Sequence, residues 1–352
     1  MIKVLVVDDS PVSRELLVYV LNSDPGIKVI GTAHNGEEAL KAIGHEKPDV
    51  ITMDIIMPKM DGLEATRIIM ETNPIPILIV TSSFNLREVN VSFKATEMGA
   101  LTLVQKPRGI GHPSHEKDAK ELIRVVKLMS EVKLVKRWPD KRKTELVSGK
   151  TIDTGRRPDE IKIVAIGAST GGPPVVQKIL SSLPKNFPLP ILIVQHMAEG
   201  FMTGFAEWLN HTSAIPVHVA MHNTMVQGGI VYVAPDGAHM AVAANGRIML
   251  VNDAPENGLR PAVSYLFRSV IHAYGSHAMA ILLTGMGKDG AAELKLMRER
   301  GAITVAQDSE SSVIFGMPGE AVKIDAARYI LAPEEIASLL TSVGAKSTDT
   351  KK

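Results

Sequence analysis

The 352-residue chain contains no cysteine. This absence excludes disulfide frameworks, cysteine nucleophiles and thiolate metal sites, and it is typical of cytosolic proteins. Aromatic residues are scarce as well, at 4%, so the core must consist mainly of aliphatic residues and methionine. No apolar run approaches the roughly 20 residues that span a bilayer, and the first run meets Asp8 and Asp9 too early for a signal peptide. We therefore expect a cytoplasmic protein without membrane insertion.

The chain also lacks an excess of either charge. Lys and Arg number 39 against 38 Asp and Glu, which gives a formal net charge of +1. Because no global field would attract a polyanion, and no helix-turn-helix is evident, we expect no nucleic-acid partner. Hydrophobic residues make up 45% of the chain, which excludes disorder as its main state. Since domains mostly contain about 100–200 residues, the length predicts two of them.

Short, nearly continuous apolar runs recur along the chain, as is typical of parallel strands that helices cover on both faces. The runs are 2–7, 50–53, 75–80, 101–104, 161–166, 191–194 and 279–283. Helix-like stretches lie between them at 37–43, 63–70, 173–180 and 291–300. The pattern predicts the α/β class, with an N-terminal doubly wound, flavodoxin-like domain and a C-terminal doubly wound, mostly parallel domain.

A basic stretch separates the two halves. Between residues 133 and 150 there are seven Lys or Arg and two Asp or Glu, a local net charge of +5. Apolar residues are few there, which indicates either a solvated connector or a docking segment for an acidic partner. The predicted organisation is a first domain at 1–124, a basic linker at 125–158, a second domain at 159–345 and a disordered tail at 346–352.

Polar residues follow the apolar runs of the first half. Asp8 and Asp9 follow the first run, Asp54 follows the second, and Thr81 and Lys106 follow two later ones. Each alone is typical of a helix cap or loop residue, but parallel strands would bring all five to one sheet edge. Crowded carboxylates suit Mg²⁺, and a hydroxyl and a cation would stabilise a transferred phosphoryl group.

These residues resemble the receiver domain of two-component response regulators, and the segment Met53-Asp54-Ile55-Ile56-Met57-Pro58 carries much of the likeness. The resemblance implies that Asp54 accepts the phosphoryl group and that Asp8, Asp9 and Asp54 hold Mg²⁺. It further implies that Thr81 contacts the phosphoryl group and that Lys106 pairs with it. Many receivers have an aromatic residue where this chain has Leu103, so we expect Leu103 to serve in packing.

The second half contains the pattern G-x-S-x-G between an apolar run and a helix-like stretch, with Ser169 at its centre. Such a turn can expose a serine hydroxyl beside amides that stabilise an oxyanion. A glycine-rich phosphate loop at 167–172 is the alternative.

A nucleophilic serine needs a base and an orienting acid. His196 follows a predicted strand, and His239 competes with it; Asp289 leaves another strand in a glycine-rich turn. Three more acids are alternatives with turn or cap explanations: Asp236, Asp253 and Asp308. The order Ser, His, Asp differs from that of α/β-hydrolases, so the serine motif alone would mislead about the fold.

The stretches 167–172, 195–197, 284–291, 306–308 and 315–318 resemble the CheB family of chemotaxis protein-glutamate methylesterases. That resemblance, with the receiver, covers nearly the whole chain. It implies that Ser169 is the nucleophile, His196 the general base and Asp289 its orienting acid, with the backbone N–H groups of Thr170 and Met286 as the oxyanion hole. Relatives often have Asp where this chain has Ser264, a departure that we expect to lie away from the triad.

The family implies an activity and partners. Phosphorylation would activate hydrolysis of glutamate methyl esters, and deamidation of glutamines, on methyl-accepting chemotaxis receptors, with the histidine kinase CheA as phosphodonor. Mg²⁺ would serve the receiver, and the esterase would need no cofactor. A response regulator with a non-hydrolytic nucleotide-binding or protein-interaction output domain is the alternative function.

Overall fold

The computed structural model describes residues 1–81, 86–132 and 161–348. They fall into two compact units, Met1–Lys143 and Thr144–Lys352. The division lies within the predicted linker at 125–158. Its basic stretch at 133–150 lies outside the described residues.

The first unit alternates strands and helices. Its elements are β1 (Ile2–Val7), α1 (Pro11–Asn22), β2 (Ile27–Ala33), α2 (Gly36–His45), β3 (Val50–Met53), α3 (Gly62–Thr72), β4 (Ile77–Thr81), α4 (Leu86–Glu97), β5 (Thr102–Gln105) and α5 (His115–Ser130). The strands form a fully parallel sheet in the order β2-β1-β3-β4-β5. Helices α1 and α5 contact each other, and α2, α3 and α4 form a second series of contacts. This is the flavodoxin-like arrangement, and the predicted fold is confirmed.

Helix α5 extends further than the predicted first domain. It continues to Ser130, past residue 124, because Val125, Val126 and Met129 are buried. The last turns of α5 therefore belong to the first unit.

The second unit is larger. Its elements are β6 (Ile163–Ala168), α6 (Gly172–Ser181), β7 (Ile191–Gln195), α7 (Met202–Thr212), β8 (Val217–Val219), β9 (Val231–Val233), β10 (His239–Val242), β11 (Ile248–Val251), α8 (Val263–Tyr274), β12 (Ala278–Leu282), α9 (Ala291–Glu299), β13 (Ile303–Gln307), α10 (Met317–Lys323), β14 (Tyr329–Leu331) and α11 (Pro333–Thr348). Helix α11 thus enters the stretch at 346–352 that the sequence predicts to be disordered; residues 349–352 lie outside the described part.

Seven strands form one parallel sheet in the order β14-β13-β12-β6-β7-β9-β8. Helices α8, α9 and α10 contact one another in series, as do α7, α6 and α11. Strands β10 and β11 form a separate antiparallel pair that packs on α8. The five inner strands of this sheet are wholly buried, which explains their largely apolar sequences, whereas the edge strands β14 and β8 are partly exposed. The predicted doubly wound domain is confirmed.

Candidate functional site

The first unit places its acidic residues at one edge of the sheet. Strands β1 and β3 are neighbours, so Asp8 and Asp9 after β1 lie beside Asp54 after β3. Carboxylate oxygens of the three residues lie within 4.8 Å of one another. A set of three oxygen donors fits a hard divalent cation such as Mg²⁺.

Lys106 follows β5 and reaches this cluster. Its Nζ lies 2.8 Å from Asp8 Oδ2 and 2.5 Å from Asp54 Oδ2. Asp8 is completely buried and also accepts a hydrogen bond of 2.7 Å from the Ser13 hydroxyl. Burial raises the pKa of Asp54 above its ordinary value, although Lys106 opposes the shift. Burial would lower the pKa of Lys106, but Asp54 and Asp8 outweigh it and hold that pKa above its usual range.

The backbone around Asp54 requires a glycine. A Cβ at Gly62, the first residue of α3, would lie 1.9 Å from the carbonyl oxygen of Asp54. The Gly62 amide also donates to Ile55 O at 2.8 Å. Asp61 caps the helix by accepting from the Glu64 amide at 2.8 Å. Helix α3 therefore begins in close contact with the Asp54 turn.

Thr81 ends β4 and is buried, and its carbonyl accepts from the Lys106 amide at 2.8 Å. Strand β4 lies between β3 and β5, so Thr81 is placed between the ends that carry Asp54 and Lys106. Leu103 is buried in β5, as expected of a packing residue. All five predicted residues of this site thus lie along one sheet edge.

In the second unit, Ser169 lies in the turn between β6 and α6. Its amide donates to Thr284 O at 3.0 Å, and its carbonyl accepts from the Gly172 amide at 2.8 Å. Gly171 has φ +76°, a left-handed conformation that glycine adopts without strain. A Cβ at Gly285 would lie 2.6 Å from Ser169 Cβ. The serine is therefore held between its own turn and the loop after β12.

His196 follows β7, and Asp289 lies in the loop after β12. Because β12, β6 and β7 are adjacent and parallel, these residues share a sheet edge with Ser169. His196 Nε2 lies 3.0 Å from Asp289 Oδ2, although its N–H is not aligned for a hydrogen bond. A bond from the Ser169 hydroxyl to the imidazole is not among those formed by the described residues. Catalytic hydrogen bonds of this kind often tighten only when substrate binds.

Asp289 also caps a helix from a distant part of the chain. Its Oδ2 accepts from the Val263 amide at 2.7 Å and its Oδ1 from the Ser264 amide at 3.1 Å, at the start of α8. Burial would raise the pKa of Asp289, but His196, the side chain of Ser264 and the Val263 amide outweigh it and hold the pKa below its usual range. The start of α8 favours the negative charge of Asp289 as well, because the N-terminal end of a helix carries a partial positive charge. The carboxylate is therefore kept ionised.

The expectation that Ser264 lies away from the triad is wrong. Besides its amide bond to Asp289, the Ser264 hydroxyl accepts from the Gly290 amide at 3.0 Å and donates to Glu293 at 2.7 Å. Sequence spacing could not show this contact, because it depends on where α8 begins relative to the loop after β12. Ser264 thus helps to hold the turn that carries the acid.

The competing residues have other partners. The ring of His239 is buried, with Nδ1 bonded to the Ala262 amide at 3.2 Å and Nε2 to Ala254 O at 3.1 Å. The three alternative acids are also engaged: Asp236 with the Gly200 amide, Asp253 with the Tyr265 hydroxyl, and Asp308 with Ser311. The geometry therefore favours His196 and Asp289.

The predicted oxyanion donors are Thr170 and Met286. Within the described part of the chain, the amide of neither residue donates a hydrogen bond. The buried Thr284 hydroxyl bonds to Thr170 O at 3.0 Å and accepts from the Ile314 amide at 2.9 Å. Sequence reasoning missed Thr284; its place at the end of the apolar run before Asp289 was the available signal.

Two family models match the chain, one in each unit. The family model of the response regulator receiver domain matches residues 4–112, and that of the CheB methylesterase matches residues 164–340. A protein of Nitrosospira multiformis named protein-glutamate methylesterase/protein-glutamine glutaminase is 54% identical over 100% of this chain and 99% of its own. A Geobacter metallireducens protein of that name, numbered 4, is 54% identical over 97% of this chain and 99% of its own.

The crystal structure of the Thermotoga maritima CheB methylesterase catalytic domain is similar to 52% of this chain and 98% of its own, with 39% identity and a TM-score of 0.51. Fold, site geometry and relatives agree for both units. The chain belongs to the CheB methylesterase family and carries a response regulator receiver domain ahead of its catalytic domain.

Proposed function

We propose that this chain hydrolyses glutamate methyl esters, and deamidates glutamines, on chemoreceptor proteins. The contact of 3.0 Å between His196 and Asp289, on strand ends that flank the one bearing Ser169, carries the proposal. The names of relatives at 54% identity support the substrate class.

The chemistry follows from these positions. The Ser169 hydroxyl attacks the ester carbonyl, and His196 takes the serine proton and returns it to the departing methoxide, which leaves as methanol. With Nε2 turned to Asp289, Nδ1 is the nitrogen left to receive that proton. Water then attacks the acyl-enzyme, and His196 takes a proton from that water and returns it to Ser169 Oγ as the acyl–oxygen bond breaks. The free glutamate departs and the serine hydroxyl is restored. A glutamine amide follows the same course with ammonia as the leaving group.

The tetrahedral intermediate carries a negative oxygen that needs donors. In this proposal the donors are the amides of Thr170, the residue after Ser169, and of Met286, the residue after Gly285. Asp289 stabilises the imidazolium that forms on His196, because its pKa is held low and it stays ionised.

Phosphorylation of the receiver regulates the esterase in this proposal. An Asp54 oxygen bonds to the phosphorus as the P–N bond of the kinase phosphohistidine breaks, and the family's kinase CheA is the proposed donor. Lys106 neutralises the transferred charge and Thr81 donates to it. Asp8, Asp9 and Asp54 would hold Mg²⁺, which supplies further charge neutralisation when bound.

Labelling with a serine-directed acylating reagent, together with methanol release from methylated receptor fragments, tests the function. We expect Ser169 to be labelled and methanol to be released. The family match at 164–340 does not favour the non-hydrolytic output module. That module would instead predict thermal stabilisation by ATP or GTP without labelling of Ser169.

A further inference from the structure

Gln195 occupies a buried position between the nucleophile and the base. It is the last residue of β7, directly before His196, and only 1% of its surface is exposed. In the pairing of β6 with β7 it lies opposite Ala168, the residue before Ser169. Its side chain is therefore next to both strand ends that carry the reaction.

The carboxamide of Gln195 joins these two ends. Its Nε2 donates to Ser169 O at 2.8 Å and to His196 O at 2.8 Å, so both N–H groups are used. The Ser169 carbonyl also accepts from the Gly172 amide at 2.8 Å. One planar group thus spans the backbones of nucleophile and base.

The oxygen of the Gln195 carboxamide lies in a less favourable environment than the nitrogen. Within the described residues, the buried Oε1 of Gln195 has no partner, and it faces Gly172, where a Cβ would lie 2.3 Å away. An unsatisfied buried acceptor destabilises a fold. An apolar side chain of the same length would avoid that loss but would also remove both donors, to Ser169 O and to His196 O. The amide is therefore distinguished by the link that it makes between these two carbonyls.

We propose that Gln195 is a positioning residue that sets the spacing of Ser169 and His196. The inference rests on the proposed esterase function. Removal of the two N–H donors lets the two turns shift, and small misplacements of reacting groups lower the rate of the chemical step more than substrate binding.

The test is Gln195→Met in the full-length chain, with p-nitrophenyl acetate as the probe. We expect kcat to fall about 10- to 100-fold with KM unchanged, as for a misplaced reacting group. Thermal unfolding gives the folded fraction by which kcat is normalised. Gln195→Glu is a second variant, which keeps the shape of the side chain. Because an ionised carboxylate donates to neither carbonyl, we expect its kcat to fall at least tenfold, again at constant KM.

Thr304→Val is the matched control. Thr304 is buried in β13, and its hydroxyl accepts from the Arg328 amide at 3.0 Å, away from both catalytic residues. This variant is expected to lower the unfolding temperature and to keep the normalised kcat.

Normal kcat in both Gln195 variants, or a loss that disappears on normalisation, would overturn the inference. Ser169→Ala separates this result from failure of the proposed function. If Ser169→Ala hydrolysed the probe at the normal rate, the esterase assignment itself would fail.

Discussion

At the residue scale, Ser169 depends on neighbours that hold its backbone from three directions. Thr284 O accepts its amide proton, while Gly172 and Gln195 donate to its carbonyl. The hydroxyl is the polar group of Ser169 that remains available to react. A serine held in this way suits a nucleophile, because little reorganisation is needed when the acyl group is transferred.

Removal of the Ser169 hydroxyl is therefore expected to have a large effect on the rate. Ser169→Ala should lower kcat for methanol release by about 10⁶, as in other serine triads. The assay uses methylated receptor fragments, and circular dichroism checks that the variant is folded. A loss below tenfold would favour the phosphate-loop interpretation of residues 167–172.

Asp289 joins the imidazole to the first turn of α8, so its charge contributes to stability as well as to catalysis. Its folded pKa is lower than its ordinary value. A carboxylate with a lowered pKa stabilises the fold above the unfolded pKa, and that contribution is lost as pH falls through the folded pKa. Asp289→Asn removes the charge at every pH.

We expect Asp289→Asn to unfold at a lower denaturant concentration than the wild type at neutral pH, with a difference that narrows as pH falls below about 4. Its kcat should drop by roughly 10⁴. Chemical unfolding at a series of pH values measures the first effect. A difference that is constant with pH would contradict the proposed linkage.

At the element scale, the start of α3 packs closely against the turn of Asp54, the proposed phosphoacceptor. A Cβ at Gly62 would lie 1.9 Å from the Asp54 carbonyl oxygen, too close for any side chain, so Gly62→Ala must displace either α3 or Asp54. We expect a loss of about 1–3 kcal/mol in the free energy of unfolding and slower phosphorylation by a small phosphodonor.

Gly44→Ala is the matched control for this change. Gly44 lies in α2, and its Cβ would meet nothing within 4 Å. The helix should gain about 0.5–1 kcal/mol in stability without any effect on phosphorylation. Equal behaviour of the two variants would show that the Asp54 turn does not depend on Gly62.

The same elements show what the sequence could predict. Strands β1 and β3 have the predicted bounds, because central parallel strands are largely buried and mostly apolar. Strand β2 was missed, since it lies at the sheet edge, is half-exposed and contains Gly31. The order of strands then brought the predicted site residues to shared edges. The bonds from Ser264, Gln195 and Thr284 depend on tertiary contacts that carry no periodic signal.

At the scale of the whole molecule, the proposed regulation requires that a phosphoryl group on Asp54 change the rate of a reaction in the other unit. Each tenfold of activation requires only about 1.4 kcal/mol of differential stability. A small-molecule phosphodonor such as acetyl phosphate, with Mg²⁺, should therefore raise methanol release by the full-length chain. Asp54→Asn should abolish that increase and leave the basal rate.

Asp24→Asn serves as the control for this experiment. Asp24 is a carboxylate of the same unit, paired with Lys127 at 2.7 Å. Its variant should respond to the phosphodonor like the wild type. Activation that persists in Asp54→Asn would show that the phosphoryl group is accepted elsewhere.

The pairing of β6 with β12 has a consequence for synthesis of the chain. One side of the central strand β6 pairs with the nearby β7, but on its other side Ile163 pairs with Ala278, which is synthesised much later. In the receiver, β1 pairs with β2 and β3, which both follow it closely. Domains generally fold in order as they leave the ribosome, and distant pairings form slowly. A nascent chain halted before residue 278 would thus present a receiver able to be phosphorylated, with no esterase yet for it to control.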